Sequence, residues 1–171
     1  DWGPTLLGEW KGVSIHHAGW MVAAFEISGI VGMLVAGWAT DRFFGGRGPR
    51  VCVICMALAT VFVALFWGIS QPPMWLATLL LGAAGFCIYG PQALVGIAAA
   101  NIATKKAAAT AVGFTGLFGY ASTLVSGWGL GLLAQHYGWN IAVGALILIA
   151  IMGTLIFMAA WSAKANGYDN D

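Results

Sequence analysis

The chain has 171 residues, 60% of them hydrophobic and only 8% charged, with a formal net charge of +1. A soluble domain carries roughly 25% charged residues, so this composition excludes a water-soluble globular fold. The few charges sit at segment ends and give no ground for a nucleic-acid partner. The charge-free runs 51–70, 72–104 and 107–163 hold at least four crossings at about 20 residues each. The run 12–40 carries one charge, Glu26, and supplies another. The expected fold class is therefore an all-α polytopic membrane protein in a lipid bilayer.

In chain order, 1–8 reads as the tail of a helix whose body lies upstream, and 9–17 as a polar connector. The first complete span is predicted over about 18–43. It ends at a tight basic loop, Asp41-Arg42-Phe43-Phe44-Gly45-Gly46-Arg47-Gly48-Pro49-Arg50. The second covers about 50–70 and is closed by Gln71-Pro72-Pro73, where prolines end one helix and start the next. The third covers about 74–103. The fourth covers about 105–134, with Thr104 placed to cap it. The fifth covers about 139–163, and 164–171 forms a polar tail. Residues 1–163 thus form one transmembrane domain.

Five spans place Arg42, Arg47, Arg50, Lys105, Lys106 and Lys164 on one face and only Lys11 on the other. This asymmetry predicts cytoplasmic basic loops and a cytoplasmic C-terminus. There is also an internal repeat. Leu34-Val35-Ala36-Gly37-Trp38 recurs as Leu124-Val125-Ser126-Gly127-Trp128, and Gly29 and Val22 match Gly119 and Val112 at the same offset. The copies lie three helices apart and cross in opposite directions, as an inverted repeat requires. That pattern implies one more helix before Asp1 and a cavity shared by the two copies.

Few residues can carry chemistry. Glu26 is the single charge inside a span, and comparable charges at a helix centre cost about 2.5–3.5 kcal/mol on insertion scales. It is expected to face the interior or a cavity, either as partner of a substrate-binding cation or in a fixed ion pair. Asp41 sits at a helix C-terminus, where the dipole disfavours an anion, and three arginines follow within nine residues. Asp41 with Arg42 and Arg47 reads as a conformational latch, and Gly37 as a point of close helix approach. Gly90-Pro91 is expected to bend the third span, because Pro91 lacks a donor and clashes with the Cys87 carbonyl. Tyr89 is read either as packing or as a cavity ligand. Gln92 and Asn101 add polar groups to this span. Gly113, Gly116 and Gly119, then Gly127, Gly129 and Gly131, predict tight packing of the fourth span.

Cys52, Cys55 and Cys87 fall inside apolar segments and read as buried small hydrophobes. His16, His17 and His136 have no acidic or cysteine neighbours that would complete a metal site. No metal, cofactor or enzyme motif is expected. Trp10, Trp20, Trp75 and Trp139 sit at segment ends, as interface anchors do.

The loop from Gly37 to Arg47 resembles the signature that follows the second helix of each half in the major facilitator superfamily. Tyr89-Gly90-Pro91-Gln92 and the run from Lys105 to Tyr120, KKAAATAVGFTGLFGY, resemble the C-terminal half of its organophosphate:phosphate antiporters. Asp1-Trp2-Gly3-Pro4 is similar to the end of that family's seventh helix, so the chain would cover the end of helix 7 and helices 8–12. The resemblance implies a twelve-helix protein of the bacterial inner membrane with one substrate site between two halves. It further implies exchange of an organophosphate for inorganic phosphate by a rocker switch. The partners would be the N-terminal half and the two phosphates, with a phosphate-clamping arginine just upstream of Asp1. By position, Asp1 and Glu26 are similar to acidic residues of the family's central charge network, and Tyr89 and Tyr120 to its cavity tyrosines. The family also holds a sugar-phosphate sensor that signals to a partner kinase, and this half of the molecule separates sensor from antiporter poorly.

Overall fold

The computed structural model describes residues 3–163, apart from the side chain of Trp10. Asp1, Lys164, the 164–171 tail and the anchoring role of Trp10 lie outside the described residues. Six helices follow in order: α1 (Gly3–Lys11), α2 (Ile15–Phe44), α3 (Gly48–Gly68), α4 (Met74–Ile102), α5 (Ala108–Tyr137) and α6 (Trp139–Ala159). The last five are each long and apolar enough to cross a membrane. No strand occurs among the described residues.

Helix boundaries follow local chemistry and shift several expected ends. Ser14 is extended and its carbonyl accepts the Ala18 N–H at 2.9 Å, so α2 starts early and takes in His16 and His17. The Ser14 hydroxyl makes no cap to backbone and instead pairs with Nδ1 of His17 at 2.7 Å. Thr104 does not cap α5. The lysines sit in a turn closed by the Ala107 N–H on the Thr104 carbonyl at 2.9 Å, and the helix begins at Ala108. The loop between α2 and α3 is three residues long because Gly45 and Gly46 both take left-handed φ values, 57° and 75°. There the Gly46 N–H reaches back to the Thr40 carbonyl at 3.0 Å, satisfying an orphan acceptor of the last turn.

Two buried clusters hold the bundle, one toward each end. Leu7, Ala18, Met21, Phe66, Ala77 and Leu80 form the first. Ala36, Val51, Cys52 and Leu94 form the second. α4 is the central helix: it packs most extensively on α2, then on α3, and carries α5 on a further side, while α6 packs on α3 and α5. Only Gly131 of α5 is buried, so most of that helix faces away from the described bundle.

Polar clasps close each end. At the first, Lys11 Nζ donates to the Ile69 carbonyl at 2.6 Å and sits 5.2 Å from the Phe66 ring centre. Burial there holds the Lys11 pKa below the ordinary lysine range. Trp139 Nε1 donates to Glu9 Oε2 at 2.8 Å, joining α1 to α6. At the opposite end, Arg50 stacks 5.4 Å over the Trp161 ring and its Nε donates to the Trp161 carbonyl at 3.3 Å. Trp139→Phe removes one hydrogen bond to a carboxylate that can return to water. It is expected to cost about 1 kcal/mol of stability, read as a lowered melting temperature in detergent.

Candidate functional site

Between the two clusters, α2 and α4 come close enough for backbone to touch backbone. A Cβ at Gly32 would lie 2.0 Å from the Phe86 carbonyl oxygen, and one at Gly85 would lie 2.4 Å from the Phe25 carbonyl oxygen. Each helix therefore offers a glycine to a carbonyl of the other, an approach that small residues alone allow in lipid. Ser28 Oγ reinforces the contact by donating across to the Gly82 carbonyl at 2.7 Å.

This crossing carries the one intramembrane charge. Glu26 is exposed on α2, and the Tyr89 hydroxyl from α4 donates to its Oε2. The Tyr89 ring lies on Gly29 and meets the edge of Phe25 at 6.0 Å between centroids and 72° between planes. Oε1 of Glu26 has no partner among the described residues. The pair thus presents a carboxylate with one oxygen held by a phenol and the other open. Such a group can accept a guanidinium or ammonium from the open side, which lowers the cost of an intramembrane charge.

Tyr120 is elsewhere. It is 78% exposed on α5 and lines a cleft between α4 and α5 with Gln92, Gly96, Thr115, Ser122 and Thr123. The structure therefore unites Glu26 with Tyr89 and leaves Tyr120 in an adjoining recess. Gln92 lies three residues beyond Tyr89, on the same face of α4, so the two regions are continuous along that helix. Sequence reasoning missed the hydroxyls of this recess. Ser122 and Thr123 both donate to the Gly119 carbonyl, at 2.7 and 3.1 Å, and Thr115 donates to Val112 at 2.9 Å. Their donors are tied to the helix, which leaves oxygen lone pairs facing the cleft. The signal was present: Thr115, Ser122 and Ser126 recur at helical spacing on one face of α5.

The remaining expectations fare differently from one another. Asp41 is exposed and makes no ion pair with Arg42 or Arg47 among the described residues. The third arginine of that loop, Arg50, is engaged at Trp161. Among the described residues nothing lies within 4 Å of a Cβ built on Gly37, so no described helix approaches it closely. It lines a cleft with Thr40, Asp41 and Asn101 instead. Among the described residues the same emptiness surrounds a Cβ built on Gly113, Gly116, Gly119 or Gly129, so tight packing of the fourth span through these glycines is not found there. α4 runs without a break through Gly90 and Pro91, both buried, and a Cβ at Gly90 would lie 2.9 Å from the Ala36 Cβ. Cys52 and Cys87 are buried and Cys55 is half-buried, all as free thiols. No group of three His, Cys, Asp or Glu among the described residues is placed to hold a metal.

The comparison with protein-family models matches residues 3–167 to the Major Facilitator Superfamily. The chain belongs to that superfamily. Its place there is near phosphate-ester transporters. A probable hexose phosphate transport protein of Chlamydia muridarum is 40% identical over 96% of this chain and 36% of its own length. The hexose-6-phosphate:phosphate antiporter of Escherichia coli is 36% identical over 79% of this chain and 30% of its own. The membrane sensor protein UhpC of Escherichia coli is 34% identical over 88% of this chain and 34% of its own. The chain therefore spans about a third of the length of the curated relatives it matches. Superfamily membership and five apolar helices together mark a multi-pass membrane protein.

Proposed function

We propose that the chain is the C-terminal half of a bacterial inner-membrane antiporter that exchanges an organophosphate for inorganic phosphate by alternating access. The observation that carries this reading is the Glu26–Tyr89 pair, an intramembrane carboxylate presented on an open face in a chain similar to phosphate-ester transporters. The open Oε1 of Glu26 is the natural counter-ion for a cation that grips substrate phosphate, contributed by residues outside 3–163. Gln92, Tyr120 and the α5 hydroxyls extend the same wall and suit the hydroxyls of a sugar or glycerol unit. Asp1 belongs to this proposal as a second acidic member of the charge network. The protein is a carrier rather than an enzyme: no step breaks a bond in the substrate.

The sidedness proposed here follows from the two ends of the bundle. Arg42, Arg47, Arg50, Lys105 and Lys106 share one end, and Lys11 is the lysine of the other. Basic loops favour the cytoplasmic side, which puts the C-terminus there. The Asp41 loop lies at this cytoplasmic end, where its carboxylate is free to pair when the two halves rock together. Gly90 and Pro91 would act in that motion as the bend of α4, where it meets α2.

The experiment is exchange. The full-length protein that carries this chain is reconstituted in liposomes loaded with labelled phosphate. External hexose 6-phosphate or glycerol 3-phosphate is expected to release the label, one phosphate for one ester. Tight binding of either ester without release would establish the sensor reading instead.

A further inference from the structure

Tyr89 is half-buried on α4, and its hydroxyl is held on Glu26. What holds it is visible in the packing of its ring. A Cβ built on Gly29 would fall 2.6 Å from Cδ2, 2.8 Å from Cγ and 2.9 Å from Cε2 of Tyr89, along one whole edge of the ring. Phe25, one turn before Gly29 on the same face of α2, meets the ring from the other direction at 6.0 Å. Gly29 is itself buried. The missing Cβ is thus the slot in which the phenol lies, and the slot points the hydroxyl at the carboxylate one turn back on α2.

We propose that Gly29 is a positioning residue for substrate exchange, acting through Tyr89 to fix the Glu26 carboxylate. This rests on the antiporter reading above. Gly29 differs from its neighbour Gly32 in a way that makes the idea testable. The atom facing Gly32 is a backbone carbonyl, which cannot move without separating the helices. The atoms facing Gly29 belong to a side chain, which can rotate away and leave the crossing intact. A methyl group at position 29 therefore expels the Tyr89 ring from its slot and breaks the bond to Glu26 while the bundle stays assembled.

The test uses the full-length protein with tyrosine labelled at the ring carbon that bears the hydroxyl. The Tyr89 resonance is assigned by its loss in Tyr89→Phe. In Gly29→Ala it is expected to move to the position it takes in Glu26→Ala, where the acceptor is absent. Phosphate exchange at subsaturating ester should fall about tenfold, the loss expected for one hydrogen bond to a charged group. The double variant Gly29→Ala/Tyr89→Phe should fall no further than Tyr89→Phe alone, a coupling that a merely structural glycine would not show. Phe25→Leu adds no atom to the crossing and should shift the same resonance, which keeps the test open if Gly29→Ala fails to fold. An unmoved resonance, an unchanged exchange rate, or fully additive losses in the double variant would each overturn the proposal. Absence of exchange in the unsubstituted protein would instead remove the antiporter reading, and the resonance alone would then decide whether Gly29 places Tyr89.

Discussion

Gly32→Leu is expected to prevent assembly of the bundle. The Cβ of any residue at 32 must occupy a point 2.0 Å from the Phe86 carbonyl oxygen, and leucine adds three more carbons behind it. Overpacking a core costs typically about 1–3 kcal/mol when side chains can give way. Here the opposing atom is helix backbone, so relief requires α2 and α4 to separate. Separation would also stretch the Ser28 hydrogen bond to Gly82 and unseat Tyr89 from Gly29. The expected result is loss of most monodisperse protein on extraction into detergent, with a melting temperature well below that of the parent. Gly113→Leu is the matched control. Nothing beyond its own helix lies within 4 Å of a Cβ built on that glycine among the described residues, and its melting temperature should stay close to the parent's. Equal behaviour of the two variants would mean that α2 and α4 do not meet through Gly32.

The contrast between these two glycines marks what could be read in advance. The composition and the charge-free runs carried the all-helical, membrane-spanning class, because lipid leaves backbone few alternatives to a helix. The proline pair and the Gly45-Gly46 turn marked breaks between spans for equally local reasons. Partner choice was different. Gly113, Gly116 and Gly119 repeat at regular helical spacing and read as a packing stripe, whereas Gly29 and Gly32 on α2 and Gly82, Gly85 and Gly90 on α4 are less regular. Yet the second set meets helix backbone and side chains, and the first meets nothing within 4 Å among the described residues. A stripe of small residues says that a surface can be approached closely. It does not say which helix approaches. The internal repeat makes the same point, since Gly29 lies under Tyr89 while its mate Gly119 is open.

The site divides in the same way. Glu26 was legible because one charge in a run of apolar residues is costly wherever it lies. From its own residues Tyr89 was ambiguous, and its pairing with Glu26 was not legible, since a contact across 63 residues depends on the register of α2 against α4. That register is set by the glycine-to-carbonyl contacts, which no pattern within either helix encodes. The Asp41 latch was read from charges that are close in sequence, but at the end of a helix nearby residues diverge around the axis. Arg50 instead turns to the aromatic ring and carbonyl of Trp161 on the far side of the loop.

Glu26→Gln is expected to lower phosphate exchange about 30- to 100-fold while leaving insertion and melting temperature close to those of the parent. Glutamine keeps the shape of the side chain and still offers a carbonyl oxygen to the Tyr89 hydroxyl. The hydrogen bond therefore changes from charge-assisted to neutral, a loss of about 1 kcal/mol. That alone would slow exchange only several-fold. The larger part of the expected effect comes from the open oxygen. If it faces a cation across the substrate cavity, two unit charges 4 Å apart interact by about 4 kcal/mol at an effective dielectric constant near 20. Losing about a quarter to two-fifths of that, added to the weakened hydrogen bond, gives the stated range. Tyr89→Phe separates the two contributions. It removes the phenol but keeps the charge, so it should cost about tenfold, less than Glu26→Gln. If the order were reversed, the hydroxyl rather than the carboxylate would be the working group. If exchange were unchanged in Glu26→Gln, the carboxylate would be no more than a fixed structural charge, and the cation that serves the substrate would find its balance elsewhere.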